Sequence, residues 1–403
     1  MFFNSTFTVN TSILARNGEI AQKALGNTEI IPVLKGDAYG YGTEKVYNTL
    51  KAAIAPTRYA VAHVSEAAEL RRCGSTEELM LISGVPLAAV RDALELGVTL
   101  TVANAETARH VARLADKPAA VQIELDCGLN RYGTKLGAEL DALIAAIKSE
   151  PRLRVSGVYT HFTLLDFVDE DAVRRELDAY LDGVARIEAA GIEVPLRHAA
   201  SSNVSEWFPA AHLDAVRLGR RLYMGPPRHR IGTVHDDGVR EPGTWRSTVT
   251  AVRRVTADER LGYGGEFCAG RDTTICLVSV GYADGLEPRL CSVLTASPAA
   301  TPVSPQAATM QCNPMLTASP AATMRGAPVL VNGRRARLLG ANMDSCYIDA
   351  GDCDAKLGDE VVFFGRSASG AELSAQDLAA LIDDEGVYLS SRLTARVGRE
   401  YVD

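Results

Sequence analysis

No run of about 18 apolar residues occurs anywhere in the chain, which excludes a helical membrane span of ordinary length. There is no CxxC pair and no histidine spacing that suits zinc, so the eight cysteines, at 73, 127, 268, 276, 291, 312, 346 and 353, are expected to be free thiols of a reducing compartment. Basic residues are in deficit, 42 Lys and Arg against 50 Asp and Glu, for a net charge of -8. That balance argues against a general binder of nucleic acid or of anionic membrane, and any phosphate must be held by one specific pocket. The opening Met1-Phe2-Phe3-Asn4-Ser5-Thr6 lacks a basic n-region followed by an apolar h-region. The expectation is a soluble cytoplasmic protein.

What is present is length and hydrophobicity: 403 residues, 47% of them hydrophobic, suit two domains better than one. From 29 to about 225, short β-branched runs alternate with longer helix-period segments, the pattern of βα units around a parallel sheet. Candidate strands fall at 29–34, 58–63, 78–83, 98–103, 119–125, 154–160, 193–198 and 213–217. Eight of them predict a closed (β/α)8 barrel over residues 1–238. The pattern fails in the turn-rich 226–244, and short glycine-separated runs beyond it predict a mainly β domain over 239–403, with Phe2 to Val9 a candidate to pair with it. Within that domain Leu294-Thr-Ala-Ser-Pro-Ala-Ala-Thr301 recurs as Leu316 to Thr323, which marks about 294–324 as a flexible insertion.

Barrels of this class gather their chemistry at the C-terminal ends of strands. Lys35 follows the first candidate strand, Asp126 and Arg131 the fifth, His161 the sixth, Ser201 and Ser202 the seventh, and Arg217 ends the eighth. In the fifth strand Gln122, Glu124 and Asp126 alternate with Val121, Ile123 and Leu125, which places a polar set on one face, inside the barrel mouth. Gly219 opens a short helical turn whose backbone N–H groups suit a phosphate.

These residues belong to longer motifs: Lys35-Gly-Asp-Ala-Tyr39-Gly-Tyr-Gly, Asp126-Cys-Gly-Leu-Asn-Arg131-Tyr-Gly133, Thr160-His161-Phe162, His198-Ala-Ala-Ser-Ser202, Arg217-Leu-Gly219, Gly281-Tyr282-Ala-Asp-Gly285, Asn342-Met343-Asp344 and Gly358-Asp359-Glu360. In that order and over nearly the whole chain, the set resembles the alanine racemase family. The resemblance implies a pyridoxal-phosphate enzyme, with a barrel, a C-terminal β domain and a head-to-tail homodimer sharing its active sites. It implies Lys35 as the cofactor's anchor and one base, and Tyr282 of a partner subunit as the opposite base. A free phenol ionises only well above neutral pH, so Tyr282 would need a nearby cation or donor, for which His161 and Arg217 are candidates. Arg217 would face the pyridine nitrogen. Arg131 would face the cofactor's phenolic oxygen and the substrate carboxylate, and the Met343 backbone the same carboxylate. Tyr39, Ser202, Gly219, the Arg220 backbone and, on a looser match, Tyr388 would hold the phosphate. No metal is implied.

Three departures stand out. Glu124 occupies a place where many members carry a lysine, carbamylated in some, and the expectation is that its carboxylate pairs with Arg131. Arg220-Arg221 replaces an apolar pair, adding charge near the phosphate or at the subunit contact. The insertion lies between Gly285 and Asn342. The leading activity is racemisation of alanine, or of a small amino acid such as serine; the alternatives are a lyase of similar fold acting on a β-hydroxy amino acid and a non-catalytic cofactor binder.

Overall fold

The computed structural model describes residues 2–163, 169–225, 237–265, 267–268, 271–296, 323–351 and 353–403. They form two compact units, one of Val9–Pro242 with Tyr401–Asp403 and one of Met1–Thr8 with Gly243–Glu400.

The first unit is the expected (β/α)8 barrel. Its parallel strands are Glu29–Pro32, Arg58–Val61, Glu78–Leu81, Val98–Val102, Ala119–Asp126, Leu153–Tyr159, Arg197–His198 and Ala215–Leu218. The second to seventh pair in sequence and the eighth pairs with the first. Two single bridges, Val33 to Ala60 and Ser201 to Arg217, complete the ring. The outward Val121, Ile123 and Leu125 are buried, and Gly183 of the helix Glu170–Ala189 leaves room for Leu125, whose methyl would lie 2.6 Å from an added Cβ. The interior divides chemically. Ile31, Val33, Ala60, Met80, Leu196 and Ala215 form an aliphatic cluster, while Thr101, Gln122, Glu124, Tyr159, His198 and Arg217, from the fourth to eighth strands, form a buried polar one.

The second unit is mainly β, as expected. Strands Gly243–Val255, Thr273–Val278, Cys346–Gly351, Arg334–Ala341, Pro328–Val331 and Glu360–Arg366 pair antiparallel in that order, and the last returns to the first. Ser5–Asn10 joins the sheet between Gly243–Val255 and Gly398–Val402. Its Phe7 packs on Phe364 at 5.8 Å between ring centres, and Trp245 lies 4.5 Å from Phe363. Burial of such rings is the main favourable term in a core of this size. Most of the repeat-bearing insertion, 297–322, lies outside the described residues, but its ends pair as an antiparallel ribbon, Leu294 with Arg325 and Ala296 with Thr323.

Candidate active site

Directly after Leu34 the backbone enters a left-handed turn. Gly36, Asp37, Ala38 and Tyr39 have φ of 63°, 53°, 51° and 59°, closed by Gly40 N–H on the Gly36 carbonyl at 2.9 Å. Each L-residue held this way costs about 1–2 kcal/mol, and three of the four carry a Cβ. The surroundings fix the turn: the Asp37 carboxylate accepts from the Thr43 N–H and hydroxyl at 2.8 and 3.1 Å, and Glu66 accepts from the Gly36 N–H at 2.7 Å and the Ala62 N–H at 2.8 Å. Lys35 heads this turn with its amine 5.9 Å from the Tyr39 ring centre. It faces the open barrel mouth, yet enclosure by the walls, then Arg131, holds its pKa below that of an ordinary lysine; Glu66 works the other way and Arg217 adds to the depression. The neutral amine, which is the nucleophilic and basic form, is thereby favoured.

The turn carries the Tyr39 hydroxyl to Gly219, where an added Cβ would lie 2.1 Å from it. A side chain there would displace the Tyr39 ring. The Gly219 and Arg221 N–H groups both point at the Ser202 hydroxyl, at 3.0 and 3.3 Å. Two hydroxyls and the N–H groups of a 3-10 turn, Arg220–Leu222, thus converge on one place, a donor set suited to a phosphate. The Arg220 and Arg221 side chains turn away from it and bury against Glu206, at 2.8 and 3.1 Å. With Asp237 2.5 Å from Arg221 as a second carboxylate, their charge is neutralised inside the unit instead of being added to the cradle.

Arg217 is fully enclosed. Its four terminal N–H groups go to the His198 carbonyl (2.9 Å), His198 Nδ1 (2.8 Å), the Thr160 carbonyl (2.7 Å) and the Ala199 carbonyl (3.0 Å). The fifth donor, Nε–H, has no partner among the described residues. Because arginine only donates, His198 Nδ1 must accept, so His198 carries its proton on Nε2 and donates to Gln122 Oε1 at 2.6 Å. Burial first, then Arg217, keeps His198 neutral. His161 Nδ1 lies 3.5 Å from the same guanidinium, and burial with Arg217, Arg131 and Lys35 brings its pKa down to about 3.

The loop after the fifth strand is shaped by Asp126, whose carboxylate accepts from the Gly128 and Asn130 N–H groups at 3.1 and 2.9 Å. Gly133 then folds back onto the strand, where a Cβ would meet the Asp126 nitrogen at 2.5 Å. Arg131 is left exposed at the tip, 5.7 Å from the Tyr132 ring centre. The expected ion pair between Glu124 and Arg131 is not formed. Glu124 points into the barrel wall, with Oε2 3.0 Å from the Tyr159 hydroxyl, because a strand's side chain can reach only its neighbours across the sheet.

In the β unit, Tyr282 and Met343 are brought together: the Tyr282 N–H bonds the Asn342 carbonyl at 3.0 Å and the Ala283 N–H the Met343 carbonyl at 2.9 Å. Gly281 permits this approach, since a Cβ there would meet the Asn342 carbonyl at 2.3 Å. Asp284 caps the turn on the Gly281 N–H at 2.8 Å and is held by Arg396 at 2.8 Å. Both Tyr282 and Met343 project outward, 45% and 58% exposed. Tyr388 also lies in this unit, and its hydroxyl donates to the buried Glu287 carboxylate at 2.8 Å.

Sequence reasoning passed over Glu66, Thr101 and Tyr159. A capping pattern, Glu66 three residues after His63, marks the first; nothing local marks the others, whose partners lie on other strands.

Two family models match the chain, "Alanine racemase, N-terminal domain" over residues 9–227 and "Alanine racemase, C-terminal domain" over 243–303 and 318–401. The chain is 32% identical to an alanine racemase of Desulforamulus reducens, over 98% of each chain, and 30% identical to one of Frankia casuarinae, over 97% of this chain and 92% of that one. It resembles the solved alanine racemase of Streptomyces coelicolor at 27% identity and a TM-score of 0.83, over 99% of this chain and 98% of that one.

Proposed function

Because the chain belongs to the alanine racemase family, we propose that it is a pyridoxal-phosphate-dependent isomerase interconverting L- and D-alanine, or a similar small amino acid such as serine, in the cytoplasm. The single observation that carries the reading is Arg217, with four N–H groups spent on the protein and Nε–H left over. Such a donor suits the ring nitrogen of that cofactor, and a guanidinium donates without giving up its proton. The rest of the donor set fits too: the Tyr39 hydroxyl, Ser202 and the N–H groups of Gly219, Arg220 and Arg221 suit the phosphate, and the depressed Lys35 suits the aldehyde. Tyr388 is assigned no phosphate contact, its hydroxyl being engaged by Glu287.

When bound, the cofactor supplies an aldehyde that links to an amine and a conjugated ring that accepts the electron pair left at Cα. The residues of the chain then divide the remaining work. Lys35, its neutral amine favoured, would take or return the α-proton on one face. Tyr282 of a second subunit serves the other face, because one base alone returns the proton to the side from which it came. His161, neutral at physiological pH, stands beside Arg217 and can donate from Nε2 toward that phenol. Arg131 and the Met343 N–H of the partner hold the substrate carboxylate and so keep it from leaving. This arrangement needs a homodimer with shared sites.

The test is incubation of the pure, cofactor-loaded protein with single amino acids in deuterium oxide. Alanine is expected to acquire α-deuterium and invert. Exchange without inversion would mean that one base is missing, and no exchange would sink the reading. Aldehyde release from a β-hydroxy amino acid would favour the lyase.

A further inference from the structure

We infer that Glu124 is a neutral carboxylic acid at physiological pH, the head of a proton chain through Tyr159 and Thr101 to the Leu81 carbonyl, and so withholds a counter-charge from Arg131. Three contacts link four groups: Glu124 Oε2 to Tyr159 Oη at 3.0 Å, Tyr159 Oη to Thr101 Oγ1 at 3.0 Å, and Thr101 Oγ1 to the Leu81 carbonyl at 2.7 Å. A carbonyl only accepts, so Thr101 spends its proton on Leu81. Tyr159 must then donate to Thr101, and the third proton has to sit on Glu124. Were Glu124 ionised, Tyr159 would donate to it, and two oxygens 3.0 Å apart would face each other with no proton between them.

Burial points the same way. Glu124 is 2% exposed, and Tyr159 is its one side-chain hydrogen-bond partner among the described residues, so ionisation here carries a desolvation cost. Desolvation pushes its carboxyl up, opposed by the Tyr159 bond, Arg131 and Arg217 and assisted by Asp126. These are the charged and titratable groups that face it: Tyr159 from the sixth strand, Arg217 from the eighth, Asp126 from its own strand and Arg131 from the loop after it; the fourth strand contributes only Thr101. Glu124 is thus a positioning residue. On the proposed reading of Arg131 as the carboxylate site, an uncompensated guanidinium meets the substrate.

Infrared difference spectra of the full-length, cofactor-loaded protein, carrying 13C at glutamate side-chain carboxyls, test the charge directly. A protonated-acid carbonyl band is expected at neutral pH that shifts with the label and disappears in Glu124→Gln. Loss of carboxylate bands instead would overturn the inference. Should Glu124→Gln fail to fold, Tyr159→Phe serves: the acid band is expected to persist and move to higher frequency, and its absence in both proteins would be fatal. KM for alanine is expected to turn upward at the alkaline pH where the band gives way to carboxylate, with no such turn in Glu124→Gln; kcat is expected to lack it in both. The band reports on Glu124 alone, so a band present while Arg131→Lys leaves KM unmoved upholds the acid and removes only the assignment of Arg131 to substrate.

Discussion

In the barrel unit, Arg217, His198, Glu124 and Tyr159 are enclosed and hold one another, so their charge states are set by the fold. In the β unit, Tyr282 and Met343 are pinned only through backbone and project outward. The barrel unit therefore tunes its groups by desolvation and shared protons. The β unit fixes where a side chain stands through its backbone alone.

Substitutions can separate these two modes. The largest effect is expected for Lys35→Met, which removes anchor and base together: turnover in a racemisation assay should fall to the detection limit, and the absorbance of amine-linked cofactor should vanish. Tyr282→Phe should lower kcat by about 10²–10⁴-fold, the usual worth of a proton-transfer group. Because that ring is outside any core, denaturant titration should find stability changed by no more than about 0.5 kcal/mol.

A third experiment uses pH. All seven histidines precede residue 243, and His161 and His198 have folded-state pKa values depressed by burial, His161 from 6.5 to about 3. The unfolded chain then binds more protons between those limits. Stability present above 6.5 is lost as pH falls, at a slope of up to about 1.4 kcal/mol per pH unit for each imidazole. Urea titrations of the cofactor-free protein should show the loss in the barrel unit, and His198→Gln should flatten it.

The smallest effect compares two glycines with open space around them and positive φ, Gly36 at 63° and Gly358 at 87°. Replacement by alanine should cost about 1 kcal/mol at each by thermal unfolding, a purely conformational penalty. Only Gly36→Ala should also raise the cofactor's dissociation constant, since that turn carries Tyr39.

The eight strands were legible because β-branched runs between helical segments repeat on a short period, and the motifs placed Lys35, Arg131, His161, Ser202 and Arg217 at strand ends. The left-handed turn was not: Ala38 and Tyr39 have no propensity for it, and the fit of Tyr39 against Gly219, far off in sequence, overrides theirs. Pairing Glu124 with Arg131 failed for a related reason. Their nearness along the chain suggested contact, but a strand residue meets partners on other strands, here Tyr159. Tyr388 carried a weak motif and its hydroxyl found a carboxylate, Glu287, that no local pattern announces.

The ribbon of Leu294–Ala296 with Thr323–Arg325 brings the two ends of the inserted stretch side by side, and the family model passes over 304–317 within it. The chain thus leaves and re-enters the β unit at one place. Doubling that length would add about 0.6 kcal/mol of closure entropy, so this is a point at which the chain can accept foreign sequence, a reporter peptide or a whole guest domain, at little expense to its fold.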